Sequence, residues 1–324
     1  MRDGGKVLML AAGDDGEADR VAARLTERGA AFFRLDTAAF PAVCTVTAEL
    51  GPSGWHGTIT TPEGVLDLTE VDAVLYRQPR PFDLPADLNT SERRFAQVEA
   101  RFGLGGLLSS LPARWVPGTP GRVADAEYKP VQLAAAARCG LRPPPTLATN
   151  SPDAARSFAA SHDGGAVYKA FMHKVVADDG RLRLIYTSRV DPAAVDGRVA
   201  VTMHQFQANL AARKRFDVRV VATRHRHAAV AIASDSPQAR QDFRSHYDTL
   251  TYRPVALPPE VAEGCRRYLR LLKLRLGVFD FCVTDDDQWH FLECGPGAQW
   301  AWLEEATGIV MGDLVADALL KDSP

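Results

Sequence analysis

The stretch VFDFCVTDDDQWHFLECGPGAQW, residues 278–300, decides how the C-terminal part of this chain is built. Residues 278–284 and 289–293 are apolar and aromatic runs of strand length, and Asp285, Asp286, Asp287 and Gln288 between them read as a turn. A hairpin symmetric about Asp286 and Asp287 pairs position 280 with 293, 282 with 291 and 284 with 289. Strand alternation then places Asp280 and Glu293 on one face, roughly 5 Å apart at Cβ. Carboxylates directly opposite each other repel, and either a shifted pKa or a bound cation offsets that repulsion. Hard oxygen donors on a rigid hairpin suit Mg²⁺. A solvated hairpin with two incidental acids satisfies the same pattern.

Around this hairpin lies a chain of 324 residues, 46% hydrophobic, long enough for two or three packed subdomains. Lys and Arg total 38 against 40 Asp and Glu, so the net charge of -2 creates no global field toward nucleic acid or an acidic membrane. The five cysteines are scattered, with no Cys-x-x-Cys spacing, which favours a reduced cytoplasm over a disulfide framework or a zinc site. There is no run of eighteen apolar residues, and the N-terminal apolar stretch is too short for a signal peptide.

The opening reads β-α-β: a strand at 6–10, a helix at 17–28 and a strand at 31–35. Its first turn holds only Gly13 and Gly16, so a G-x-G-x-x-G dinucleotide fingerprint is not supported, and residues 103–110 lack the lysine of a P-loop. Short strands follow at 43–50, 55–61, 65–68 and 71–76, the last ending in Arg77-Gln78-Pro79-Arg80. A helix at 91–108, capped by Ser91, leads to Pro112, Pro117 and Pro120, where the first domain is expected to end. Beyond it the expectations are a helix from 125 to 138 stopped at Gly140, a strand at 146–149, a helix at 152–160, and strands at 166–171 and 182–188. Strands at 218–223 and 227–234, a long helix at 259–276, the hairpin and a helix at 312–320 complete the chain.

Lys129 and Lys169 stand as isolated cations, and Lys214, Arg215 and Arg219 lead into a strand with Asp217 as the only local acid. For any one of them a solvated surface charge is the plainer reading. Together with a carboxylate pair they describe a metal bridged to phosphates, with cations on the remaining oxygens. Arg77, Arg80 and the basic run 213–227 are candidates for acidic peptide side chains, although a solvated strand surface accounts for the run nearly as well. His225 and His227 are too few for zinc, and the triple aspartate lacks the glycine and distant glutamate of a calcium loop.

FLECGPGAQWAWLEEATG, residues 291–308, resembles the metal-binding signature FLE-x-NPNGQW-x-W-x-E-x-ATG of the ATP-grasp ligases that make microviridin-like graspetides. The likeness extends to DGEADRVAARLTERGAAFFRLDTAAFP (15–41), YRQPR (76–80), Trp115-Val116-Pro117, YKPVQLAAAARCGLRPPPTLATN (128–150) and KRFDVRVV (214–221), in the family's order. It therefore implies an α/β chain of α+β subdomains: a pre-ATP-grasp domain at 1–120, a central ATP-grasp subdomain at 121–203 and a C-terminal one at 204–324.

By that resemblance Lys129 and Lys169 contact nucleotide phosphates, with Lys214 beside them. Phe206 and Gln207 lie at the hinge that reads adenine, Leu292 packs on the ring, Arg219 meets the transferred phosphate, and Asp280 and Glu293 bind Mg²⁺. Arg77, Arg80 and Arg215 are the peptide-binding candidates. The implied activity is ATP-dependent macrocyclisation of a precursor peptide with a leader and an acidic core, by a homodimer. The alternatives are addition of a free amino acid to a carboxylate, and a degenerate protein that only binds peptide or nucleotide. The chain departs from the signature at one loop, where NPNG becomes Gly295-Pro296-Gly297-Ala298 and a metal-ligating asparagine is replaced by a residue with no side-chain oxygen.

Overall fold

A computed structural model describes residues 4–172, 175–178 and 181–321. The first unit comprises β1 (Lys6–Leu10), α1 (Gly16–Glu27), β2 (Phe32–Leu35), β3 (Thr45–Gly51), β4 (Gly54–Thr61), β5 (Gly64–Asp67), β6 (Val71–Tyr76), α2 (Thr90–Ser110) and β7 (Arg114–Val116). A parallel sheet in the order β2-β1-β6-β7 forms its centre, and β3, β4 and β5 make a separate antiparallel sheet. The near-continuous apolar runs of β1 and β6 reflect burial on both faces. Helix α2 begins earlier than expected, because Asn89 and not Ser91 is its cap. The Asn89 side chain accepts from the Ser91 and Glu92 amides while Glu92 returns to the Asn89 amide at 3.0 Å, a reciprocal capping box.

Next come α3 (Pro120–Glu127), α4 (Lys129–Arg138), β8 (Thr146–Thr149), α5 (Pro152–Ala160), β9 (Ala166–Lys169), β10 (Val175–Asp178), β11 (Arg181–Leu184), β12 (Ser188–Val190) and β13 (His204–Ala208). The single helix expected at 125–138 is broken at Tyr128. Pro130 has no amide to give the Ala126 carbonyl, and its ring would collide with that oxygen in a continuous helix. Gln132 fills the gap, donating from Nε2 to Ala126 O at 2.8 Å and accepting from the Cys294 amide at 3.1 Å. That corner ties Lys129, at the start of α4, to the hairpin strand that carries Glu293. The expected strand at 182–188 is in fact split between β11 and β12, and the one at 166–171 ends at Lys169. Strands β12, β9, β13 and β8 form an antiparallel sheet in that order.

The last unit contains β14 (Lys214–Thr223), β15 (His227–Ala233), α6 (Pro237–Gln241), β16 (Thr251–Pro254), α7 (Pro259–Leu271), β17 (Leu276–Thr284), β18 (Trp289–Gly295), α8 (Ala301–Thr307) and α9 (Gly312–Leu320). Its antiparallel sheet runs β16-β15-β14-β17-β18. The helix expected to reach 276 stops at Leu271. Lys273 takes a left-handed conformation (φ 56°) and the Leu274 amide turns back to Leu269 O at 2.8 Å, a reversal usually assigned to glycine.

The two faces of this sheet have different fates. Val218, Val220, Phe279, Phe281, Val283 and Phe291 are buried in one core with Cys265, Tyr268 and Leu269 of α7. On the other face, Val221 and Val278 are buried with Trp300, Leu314 and Leu319, and with Met9, Val21 and Leu25 of the first unit. Further along this second face, Asp217, Asp280 and Cys282 are uncovered by that core and line a cleft.

Candidate active site

The cleft is open and is lined by the C-terminal sheet, by β9 and β13, and by the segment 241–244. Its floor is the β17–β18 hairpin. Asp280 pairs with Glu293 as the parity argument requires, but beyond them the register slips: Phe281 faces Phe291, Cys282 faces His290 and Val283 faces Trp289. The expected 282–291 and 284–289 pairs are therefore corrected by a β-bulge that leaves Leu292 as the extra residue. The physical gain is clear from burial. Phe291 and Cys294 both enter the apolar core while Leu292 and Glu293 both line the cleft, which strict alternation forbids.

Each carboxylate on this floor meets a protein cation. Arg219, opposite Asp280 across the β14–β17 ladder, donates from Nε and Nη2 to the two Asp280 oxygens at 2.8 and 2.9 Å, and from Nη1 to Gln299 O at 3.0 Å. The guanidinium lies between the rings of Phe243 and Trp302, at 5.8 and 5.7 Å. Burial opposes its charge, but Asp280 more than offsets this and holds Arg219 above its ordinary pKa. Lys129 forms an ion pair with Glu293. Lys214 and Asp217, both buried, pair at 2.9 Å. Burial raises the Asp217 carboxyl above the usual carboxylate range, and Lys214 only partly opposes it.

Lys169 projects from β9 and donates to Gln207 Oε1 at 2.7 Å, while Gln207 Nε2 donates to Thr146 Oγ1 at 2.9 Å. Burial pushes the Lys169 amine down to about 8, with Glu293 opposing the shift and Lys214 adding to it. Lys129, Lys169, Lys214, Gln207, Asp280, Leu292 and Glu293 thus gather in one cleft, as the sequence reading brings them together. Four other expected residues, Phe206, Arg215, Arg77 and Arg80, lie elsewhere. Phe206 is buried and packs on Tyr168 and His204, so strand alternation takes it off the cleft wall that Gln205 and Gln207 form. Arg215 stands outside the cleft, paired with Asp287 and lying over the Phe216 ring at 5.5 Å.

Arg77 is the third. It is 4% exposed, contacts Asp15 at 3.3 Å and Glu17 at 3.1 Å, and donates to Gly297 O at 2.8 Å. Glu17 in turn accepts from the Trp300 and Ala301 amides at 2.8 and 3.1 Å, capping α8 from a distant helix. Arg77 is thereby a buried support of the loop after β18, and its burial removes it from the exposed peptide contacts. Arg80 is more open and pairs with Asp36.

The sequence reading omitted Gln205, Asp217, Asp242 and Arg244 from the site. Asp217 was recoverable, since it lies two residues before Arg219 on one strand and shares its face. Arg244 binds Asp242 through both oxygens, at 2.8 and 2.9 Å, and its place on the cleft wall depends on a short irregular segment with no periodic signal. Among the described residues there is no group of three or more His, Cys, Asp and Glu side chains placed to hold a metal, so the donor set offers two carboxylates. Two are enough for Mg²⁺ that also takes phosphate oxygens and water.

The layered sheets and the cleft between them have the ATP-grasp fold of solved ligases. Residues 6–120 match the family model described as the MvdD pre-ATP grasp domain. A RiPP-associated ATP-grasp ligase from Chryseobacterium gregarium, solved with ADP and a leader and core peptide, superposes with a TM-score of 0.90 at 23% identity over 99% of this chain and 98% of that one. Macrocyclase MdnC from Microcystis aeruginosa MRC, bound to precursor peptide MdnA, gives 0.84 at 25% identity over 98% and 100%. MdnB from the same organism gives 0.79 at 28% identity over 98% and 99%. No curated protein matches the chain. The resemblance to the peptide-modifying ATP-grasp ligases read from the motifs is thus borne out. Among the described residues no helix is long and apolar enough to cross a membrane.

Proposed function

We propose that this chain is an ATP-dependent macrocyclase of a ribosomally made precursor peptide. It transfers the γ-phosphoryl group of ATP to Asp or Glu side chains of the precursor, releasing ADP, and a Thr or Ser hydroxyl or a Lys amine of the same peptide attacks the resulting acyl phosphate, expelling inorganic phosphate and closing an ester or amide ring. The observation that carries this reading is the bulged hairpin, which sets Asp280, Leu292 and Glu293 together on the floor of a cleft walled by Lys129, Lys169 and Lys214.

In this reading Asp280 and Glu293 hold Mg²⁺, Lys129 and Lys169 neutralise and orient the nucleotide phosphates, and Leu292 and Gln207 form part of the base site. When bound, Mg²⁺·ATP supplies the electrophilic phosphoryl group. Arg219 fixes Asp280 through a two-pronged hydrogen bond, so this carboxylate is oriented before any ligand arrives. Arg80 and Arg215, the exposed members of the peptide-binding set, meet acidic residues of the precursor; units 121–203 and 204–324 act as the walls of the cleft, and unit 1–120 acts as a support that shares a core with 204–324.

The test is to incubate the protein with ATP, Mg²⁺ and an acidic precursor peptide carrying a leader and a core, and to weigh the product. Loss of one water per link supports the macrocyclase. A gain in mass from an added amino acid, or an unchanged peptide with no ADP formed, overturns it.

A further inference from the structure

We propose a second anion site, separate from the cleft, where Arg114, Arg122, Arg224, Lys273 and Arg275 converge to bind a multivalent phosphate. Strand β14 carries Lys214 to the cleft at one end, and Arg224 follows its other end, roughly 30 Å away at the strand rise. There β7 contributes Arg114, α3 contributes Arg122, the turn after β14 contributes Arg224, and the link from α7 to β17 contributes Lys273 and Arg275. They line a concavity of about 380 Å³ that has no acidic residue in its wall.

Elsewhere in the molecule Arg77, Arg213, Lys214, Arg219 and Arg244 each face a carboxylate. Arg122, Arg224, Lys273 and Arg275 form no ion pair among the described residues. Backbone bonds hold them in place nonetheless. Arg224 Nε donates to Leu274 O at 2.8 Å, the Arg275 amide donates to Pro117 O at 2.7 Å, and Lys273 is fixed in its left-handed turn. A second, independent observation comes from Trp115. It lines the same concavity, is 6% exposed, and has an indole N–H without an acceptor.

Burial, with neighbouring arginines adding to it, holds Arg114, Arg224 and Arg275 below their ordinary pKa, with Asp72 behind the wall opposing the shift at Arg114. Like charges gathered at one place are relieved by an anion carrying more than one charge. A carboxylate presents two oxygens in one plane, whereas a phosphate presents oxygens tetrahedrally to forks that arrive from several segments. The chemistry therefore selects phosphate or pyrophosphate over an acidic peptide.

The probe is sodium pyrophosphate, with inorganic phosphate in parallel, titrated into the full-length protein while binding and the thermal midpoint are followed. The variants are Arg122→Gln with Lys273→Gln, both at exposed positions, and Lys169→Met as a cleft control. With the cleft filled by saturating ADP, pyrophosphate should bind wild type and Lys169→Met alike and raise their midpoints. The Arg122→Gln/Lys273→Gln protein should bind it at least tenfold more weakly, yet melt higher than wild type in phosphate-free buffer because repulsion has been removed. Inorganic phosphate matching pyrophosphate assigns one phosphoryl group to the site, and weaker phosphate binding assigns two. Unchanged pyrophosphate binding in the double variant, complete loss of it in Lys169→Met, or tighter binding of a hexaglutamate peptide than of pyrophosphate overturns the proposal.

Discussion

A Cβ atom built on Gly295 lies 2.8 Å from the Cβ of Ala298, so the loop after β18 accommodates a side chain at one of these positions but not at both. The NPNG form of the ligase signature has the reverse arrangement, with asparagine where this chain has Gly295 and glycine where it has Ala298. The departure is a coupled exchange across a tight turn, closed by the Ala298 amide on Gly295 O at 3.2 Å. Gly295→Asn alone should overpack the loop and cost ~1–3 kcal/mol. Adding Ala298→Gly should recover most of that loss, and only the double variant should gain Mg²⁺ affinity in the presence of ATP. Urea unfolding of the four proteins of this cycle, with a Mg²⁺ titration, measures the coupling. Additive costs would disprove the exchange.

Arg77 makes a different kind of prediction, because its guanidinium is sealed between Asp15, Glu17 and the Gly297 carbonyl. Arg77→Met leaves two buried acids without their cation and should cost ~3–5 kcal/mol. Arg80→Met, at an exposed pair, should leave the unfolding curve nearly unchanged. If Arg80 meets the precursor, that variant should instead raise the KM for peptide. A destabilised Arg80→Met with a normal KM would reverse these assignments.

The difference between these two arginines also shows what the sequence makes legible. YRQPR announces basic residues at a strand end, but burial of the first depends on acids at positions 15 and 17, sixty or more residues earlier. Local pattern holds no such information. Strand parity sufficed for Asp280 opposite Glu293, since a two-residue period needs only the turn to be located. It failed one residue away, at Leu292, because a bulge is decided by which side chains the core accepts. The break before α4 was readable from Pro130, whose missing amide acts locally. The end of α7 was not, since a lysine occupies the left-handed position where glycine is the usual signal.

Lys169 gives the cleft a measurable pH signature. Its pKa in the free protein is lowered to about 8, chiefly by burial, from 10.5 in the unfolded chain. Between these values the unfolded chain binds more protons, so this group's penalty is full below about 8 and is relieved as pH rises toward 10.5. A phosphate beside the amine favours its charged form and raises the pKa again. Nucleotide binding near pH 8 should therefore take up about half a proton, read by calorimetry in buffers of different ionisation enthalpy. Lys169→Met should lose that uptake and bind nucleotide more weakly. Identical proton uptake in the variant would assign the titration to another group.

Asp280 and Glu293 share a proposed role but not a structural one, and that separates two neutralising variants. Glu293→Gln frees Lys129, whose side chain reaches the cleft, whereas Asp280→Asn leaves the largely buried Arg219 fork facing an amide. Both should lower turnover on the order of 100-fold or more, because each removes a charge from the proposed metal platform. Only Asp280→Asn should also lose ~3 kcal/mol in urea unfolding, the cost of a buried cation without its counter-charge. Turnover by either variant that is restored at high Mg²⁺ would point to weakened metal binding as the cause. Wild-type turnover in Glu293→Gln would remove this residue from the metal site.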